Sequence, residues 1–196
     1  MVEMLNKTYK QAETYTKEVL YFVEQVTGHV IPDFRGALKY GVDSLIKEAN
    51  KKDGDFYKAC AISLSCVKIL CDRYIAIIKE QLKSCSKERK IQLEYLEKTL
   101  VKISSNGADN LYEALQLFIL LWTIMCLEQA PNPYAFSVGN ADRIFEPYRK
   151  DLTREKASEL FKHFLVFFNI GTRSWAISQN VLISGKDNEG NDLTND

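Results

Sequence analysis

The stretch Ser178 to Asp196, SQNVLISGKDNEGNDLTND, is the one place in this sequence where β-propensity gathers. Val181, Leu182 and Ile183 stand between polar residues, and Asp187-Asn188-Glu189-Gly190 follows as a turn. A lone strand cannot satisfy its own backbone donors and acceptors. It therefore predicts either a sheet partner outside this chain or a disordered tail. Everything upstream of Trp175 reads as helix, so the expected fold class is mainly α. Residues 1–171 form one multi-helix domain, and 172–196 form a short, strand-like β segment.

Working back from that segment, the helices are read from apolar residues three and four apart. Leu5, Tyr9, Ala12, Tyr15, Val19, Phe22, Val23 and Val26 mark a first helix over Val2 to Thr27, stopped by Gly28 with Pro32 beyond it. Asp33 caps a second helix that turns Leu38, Val42, Leu45 and Ile46 inward. The longest helix runs from Phe56 to about Ser84, and its apolar residues go almost all the way round, which predicts burial on several sides. Asp72 and Arg73 interrupt it and must reach a rim or a partner. Ser86 caps a helix over Lys87 to about Ser104, and Leu111 to Ala130 forms the next. A short helix around Ala141 to Tyr148 follows a Pro- and Asn-containing loop, and a Thr153-capped helix runs to Gly171.

Composition narrows the function classes. With 46% hydrophobic residues the chain can bury a core, and it lacks the signature of disorder. Its 26 basic and 26 acidic residues leave no net field for nucleic acid or an anionic membrane, so neither is an expected partner. The longest apolar run, Leu117 to Leu127 broken by Thr123, is well short of the roughly 20 residues that cross a bilayer. Met1 to Lys7 has neither the basic start nor the apolar stretch of a secretory signal, which points to the cytoplasm. The five cysteines form no Cys-x-x-Cys pair and read as free thiols, with Cys85 the candidate for an exposed, modifiable one. His29 and His163 lack neighbouring ligand patterns, so no metal is expected.

Four stretches carry a resemblance. Gly28-His29-Val30-Ile31-Pro32-Asp33-Phe34 precedes Leu38 and Gly41; Phe56-Tyr57-Lys58-Ala59 shares a helix with Arg73-Tyr74; Tyr112-Glu113-Ala114-Leu115-Gln116 opens another. The longest is Ser137-Val138-Gly139-Asn140-Ala141-Asp142-Arg143-Ile144-Phe145-Glu146-Pro147-Tyr148, followed by Asp151-Leu152-Thr153. In this order, and with Gln179-Asn180 and Gly190-Asn191-Asp192-Leu193-Thr194-Asn195 behind them, they resemble the N-terminal helical portion of the glycyl radical enzymes. This is the pyruvate formate-lyase superfamily, in its diol dehydratase and choline lyase branch. The resemblance implies that 1–196 is a partial domain whose β segment belongs to a larger α/β barrel. It also implies anaerobic radical cleavage of C–C, C–O or C–N bonds by intact relatives, with a radical S-adenosylmethionine activase.

Departures from the family pattern matter as much. Asn140 stands where the family has arginine, and Arg143 where it has glutamine. The family's Gly-Cys-x-Glu cysteine loop and Arg-Val-x-Gly-Tyr glycine loop are both missing from these residues. The expectation is therefore a lyase-type fragment with no catalytic residue and no cofactor site of its own, inert alone. Its expected partner is the missing catalytic half of such an enzyme, or a second copy of itself. Ser137, Asp142 and His29 are the substrate-pocket candidates, although a serine or aspartate in such a place commonly caps a helix and a loop histidine commonly bonds backbone. The alternative reading is a non-catalytic helical interaction module that offers its strand to another sheet.

Overall fold

In a computed structural model of the chain, the described residues are 7, 10, 30–128, 136–150, 152–170 and 180–195; the side chains at 169 and 170 lie outside this set. The helix expected over Val2 to Thr27, together with His29 and Trp175, falls outside it too, apart from Lys7 and Lys10, which are helical. Among the described residues the elements are α1 (Phe34–Tyr40), α2 (Val42–Asn50), α3 (Asp55–Gln81), α4 (Lys87–Ile103), α5 (Leu111–Glu128), β1 (Gly139–Asn140), α6 (Ala141–Arg149), α7 (Arg154–Ile170) and β2 (Val181–Leu182). The mainly helical class holds.

The helix starts follow their caps. The Asp33 carboxylate accepts from the Gly36 amide at 3.4 Å, the Ser86 hydroxyl from Arg89 at 3.2 Å and the Thr153 hydroxyl from Lys156 at 3.4 Å, each satisfying an amide with no intrahelical partner. The single helix expected after Asp33 is two. At Gly41 the chain takes φ +79°, a conformation glycine adopts without penalty, and turns sharply between α1 and α2. The elbow is clasped by the loop after α4: Ala108 N–H donates to Leu38 O at 2.8 Å, and Asp43 N–H to Ser105 O at 2.9 Å. A side chain at position 41 would place its Cβ 2.4 Å from the Asn106 carbonyl carbon.

The core centres on α5. Leu111, Ala114, Leu117, Phe118 and Trp122 are fully buried, as the near-continuous apolar sequence of this helix requires. Phe118 gathers a ring cluster from three other helices: Phe34 of α1 at 4.2 Å between centroids, Phe145 of α6 at 5.7 Å and Phe164 of α7 at 5.5 Å. Burying one such ring is worth about 1.5–3 kcal/mol, so the cluster is a main tie between the two ends of the chain.

The long helix α3 departs from expectation. Only Ala61, Val67, Cys71 and Ile78 are buried, one face of the helix, while Phe56, Ile62, Ile69, Tyr74 and Ile77 are exposed. Asp72 and Arg73 lie in solvent, so the charged pair needs no buried partner. The apolar residues round the helix were read correctly, but among the described residues α2, α4 and α5 are the main elements packed against it.

Candidate functional site

The β segment finds its partner inside the chain. β2 pairs in parallel with β1, with Gly139 opposite Val181 and Asn140 opposite Leu182. This corrects the expectation of a partner elsewhere or a disordered tail, because 136–140 lies extended beside Asn180 and leads directly into α6. A bridge between Val30 and Phe136 adds a third extended segment on the other side. Trp122 of α5 fixes the middle segment from below, its indole N–H donating to Phe136 O at 3.0 Å in a buried hydrogen bond.

Two of the sequence-predicted site residues hold this junction together. Ser137 is buried; its hydroxyl accepts from the Asn180 amide at 3.1 Å, while the Val138 amide donates to Asn180 O at 3.2 Å. Asp142, in the first turn of α6, accepts from the Ser184 amide through Oδ2 at 2.7 Å and from the Arg143 amide through Oδ1 at 3.0 Å. One residue before β1 and one after it therefore grip the backbone on either side of β2. The chain then doubles back: Leu193 N–H reaches Gly185 O at 2.9 Å, and the Asp187 carboxylate accepts from the Glu189 and Asn191 amides at 3.0 and 2.8 Å. The Asn191 side-chain amide, with those backbone amides, holds the Asp187 carboxyl below the usual aspartate range.

A second feature is an open cleft of about 1000 Å³ between the C-terminal part of α6, the start of α5, and the faces of α4 and α7. Tyr95, Tyr112, Tyr148, Lys150, Lys156, Glu159 and His163 are among its walls. Lys156, Glu159, Leu160 and His163 follow the i, i+3, i+4, i+7 spacing that lines one helix face. The Tyr95 and Tyr112 rings meet at 5.1 Å, and burial pushes the Tyr112 and Tyr148 hydroxyls above the usual tyrosine range, so both stay neutral donors. Beside the cleft, Lys102 joins Asp109 and Glu113, and the Glu113 carboxylate also takes the Asp109 amide at 2.8 Å, which fixes the entry into α5. These residues come from four elements, so no local motif announces the cleft in the sequence.

Residues 3–196 match the family model described as Pyruvate formate lyase-like. The chain belongs to the pyruvate formate lyase-like family. A curated relative, the (2S)-3-sulfopropanediol dehydratase of Klebsiella oxytoca, is 27% identical over 201 residues, covering 86% of this chain and 24% of its own length. Among solved structures, the glycerol-bound B12-independent glycerol dehydratase from Clostridium butyricum superposes with a TM-score of 0.77 at 27% identity, over 87% of this chain and 25% of that one. A structure concerned with 1,2-propanediol dehydration in Roseburia inulinivorans has a TM-score of 0.77 at 23% identity, over 88% and 25%, and carries the fold alone. This pyruvate formate lyase-like chain thus spans about a quarter of the length of the relatives it matches.

Within it, the pocket candidates Ser137 and Asp142 come together at the β1–β2 junction, while His29 lies outside the described residues. The cysteines sit on helices, apart from Cys85 just beyond α3. Cys85 is half-buried, packed against the core with its thiol toward Leu82 O at 3.9 Å, and so is not the exposed thiol that its polar neighbours suggested. Burial, with Asp72 nearby, pushes the Cys71 thiol up to about 11, and burial pushes Cys126 up to about 12. Among the described residues no group of three or more His, Cys, Asp or Glu is placed to hold a metal, and no helix is long and apolar enough to cross a membrane.

Proposed function

We propose that these residues are the N-terminal helical scaffold of a glycyl radical enzyme that eliminates water from a small diol by radical chemistry. The scaffold is inert until a segment bearing the cysteine and glycine loops joins it. The observation carrying this reading is the match of residues 3–196 to the family together with coverage of only about a quarter of dehydratase relatives. The 27% identical relatives are named for glycerol and (2S)-3-sulfopropanediol, which supports a polyol substrate class.

In this reading Ser137 and Asp142 position the strand at the mouth of the barrel and, with His29, border the substrate pocket. The working enzyme operates in the anaerobic cytoplasm and receives its glycyl radical from a radical S-adenosylmethionine activase. That radical takes a hydrogen atom from a cysteine thiol, and the thiyl so formed takes one from substrate.

A second reading, a non-catalytic interaction module, is favoured by one observation: Leu182 and Ile183 of the β segment are exposed, Ile183 at 75%, as a strand awaiting another would be. Affinity capture of the tagged chain from anaerobic extract, with mass spectrometry of what copurifies, separates the two. A partner carrying Gly-Cys-x-Glu and Arg-Val-x-Gly-Tyr loops is expected. Recovery of the chain alone, or with proteins lacking those loops, contradicts the enzyme reading.

A further inference from the structure

We infer that Arg143 is an oxyanion-binding residue, seating the carboxylate, sulfonate or phosphate of a small ligand beside Gly185. Three observations meet there. The first is an unanswered donor: Arg143 Nε is buried and has no hydrogen-bond partner, and Arg143 makes no ion pair among the described residues. Its one side-chain bond is from Nη2 to Lys186 O at 3.5 Å, the outer limit for such a contact. The adjacent carboxylate, Asp142, is turned to the Ser184 and Arg143 amides instead. A guanidinium keeps its charge at every pH at which proteins fold, and a half-enclosed one with a single weak acceptor is costly to hold.

The second observation is vacant space. Gly185, at φ +114°, lacks the side chain that would stand 3.2 Å from Nη2, and among the described residues, its own chain neighbours aside, no other atom lies within 4 Å of that position. A ligand oxygen there is at hydrogen-bonding distance from the guanidinium edge. The third is placement. Arg143 follows β1 in the first turn of α6, and Gly185 follows β2, so both lie outside the carboxyl ends of two parallel strands, where ligands of open α/β sheets collect.

Arginine stands here where the family pattern has glutamine, a change from a neutral amide to a fixed cation. The inference rests on the proposed function only in taking the ligand as a substrate bearing an anionic group; oxyanion binding itself is a property of this chain.

The test is side-chain 15N NMR of the whole chain, labelled in arginine, with the Arg143 Nε signal assigned by its loss in Arg143→Gln. Methanesulfonate, acetate and inorganic phosphate are titrated separately at constant ionic strength, with glycerol as the neutral control. A saturable shift of the Arg143 signal with at least one anion and none with glycerol is expected, and the responding anion identifies the chemistry. Binding should weaken about tenfold or more in Arg143→Gln, the scale of one lost charge-assisted hydrogen bond. It should weaken less in Arg143→Lys, which keeps the charge without the planar fork and gives a reading if the glutamine variant fails to fold. No saturable shift with any of the three anions overturns the inference, as does affinity unchanged in both variants. Neither result bears on whether a catalytic partner is captured, so the two proposals fail separately.

Discussion

At the residue scale, burial decides which groups can do chemistry. Cys71 and Cys126 are 0% and 6% exposed, and their raised thiol values leave almost no thiolate near neutral pH. In the native chain both should resist an aromatic disulfide reagent at pH 8 and react only on unfolding, as peptide mass spectrometry of the modified sites will show; rapid native labelling of either would contradict the packing around α5. The sequence named Ser137 and Asp142 through a motif, and both are found at one junction. It gave no hint that Arg143 makes no ion pair among the described residues, because that depends on where Asp142 turns and on the bare Cα of Gly185. Within α3 Cys71 is buried in the core and Cys60 and Cys66 are half-buried, whereas Cys85 was misjudged from polar neighbours when its contacts come from the core.

At the element scale, caps were legible and elbows were not. Asp33, Ser86 and Thr153 mark helix starts with side-chain chemistry that a sequence displays. The break at Gly41 was hidden because the apolar period of α1 continues into α2 across it. Gly41→Ala should destabilise the chain by about 2 kcal/mol or more, since it combines a strained φ with contact against Asn106 backbone. Urea unfolding followed by circular dichroism measures this; a change below about 0.5 kcal/mol would mean that the elbow is not tightly clasped. β1 escaped notice because Gly139 and Asn140 have no β-propensity of their own, and only their pairing with Val181 and Leu182 makes them a strand.

The link between α2 and α3 titrates. Asp43 accepts from Lys68 at 2.7 Å, and that bond, opposed by slight burial and helped by the lysine's charge, lowers its carboxyl below the ordinary value. A folded value below the unfolded one, about 3.9 for aspartate, means that the stabilisation is present above that pH and disappears as pH falls through the folded value. Both side chains are 40% exposed, so the contribution is at most about 1 kcal/mol. Carboxyl-carbon NMR should find the Asp43 midpoint below about 3.9 and returned toward it in Lys68→Met; an unshifted wild-type midpoint would count against the ion pair.

At the scale of the whole molecule, the chain keeps a well-packed centre and leaves apolar outer faces. Phe56, Ile62 and Ile77 on α3, Leu165, Val166 and Phe167 on α7, and Ile183 after β2 are all exposed, more than scattered surface hydrophobics usually amount to. The isolated chain is expected to self-associate, with sedimentation velocity giving a weight-average mass that rises with concentration; a concentration-independent 22.5 kDa species would show these faces to be tolerated by water. Helical class and family were legible from periodicity and motif order, while the break at Gly41 and the strand β1 were not. What covers α3 was not, because periodicity records which side chains are apolar and not which neighbours exist to bury them.

The most direct test of the account is electron paramagnetic resonance of the purified chain after anaerobic treatment with a radical S-adenosylmethionine activase, alongside glycerol and propanediol turnover. The account predicts no glycyl radical signal and no dehydration from the chain alone, with both appearing in the complex with a partner bearing the cysteine and glycine loops. A glycyl radical formed on this chain, or turnover without a partner, would contradict it.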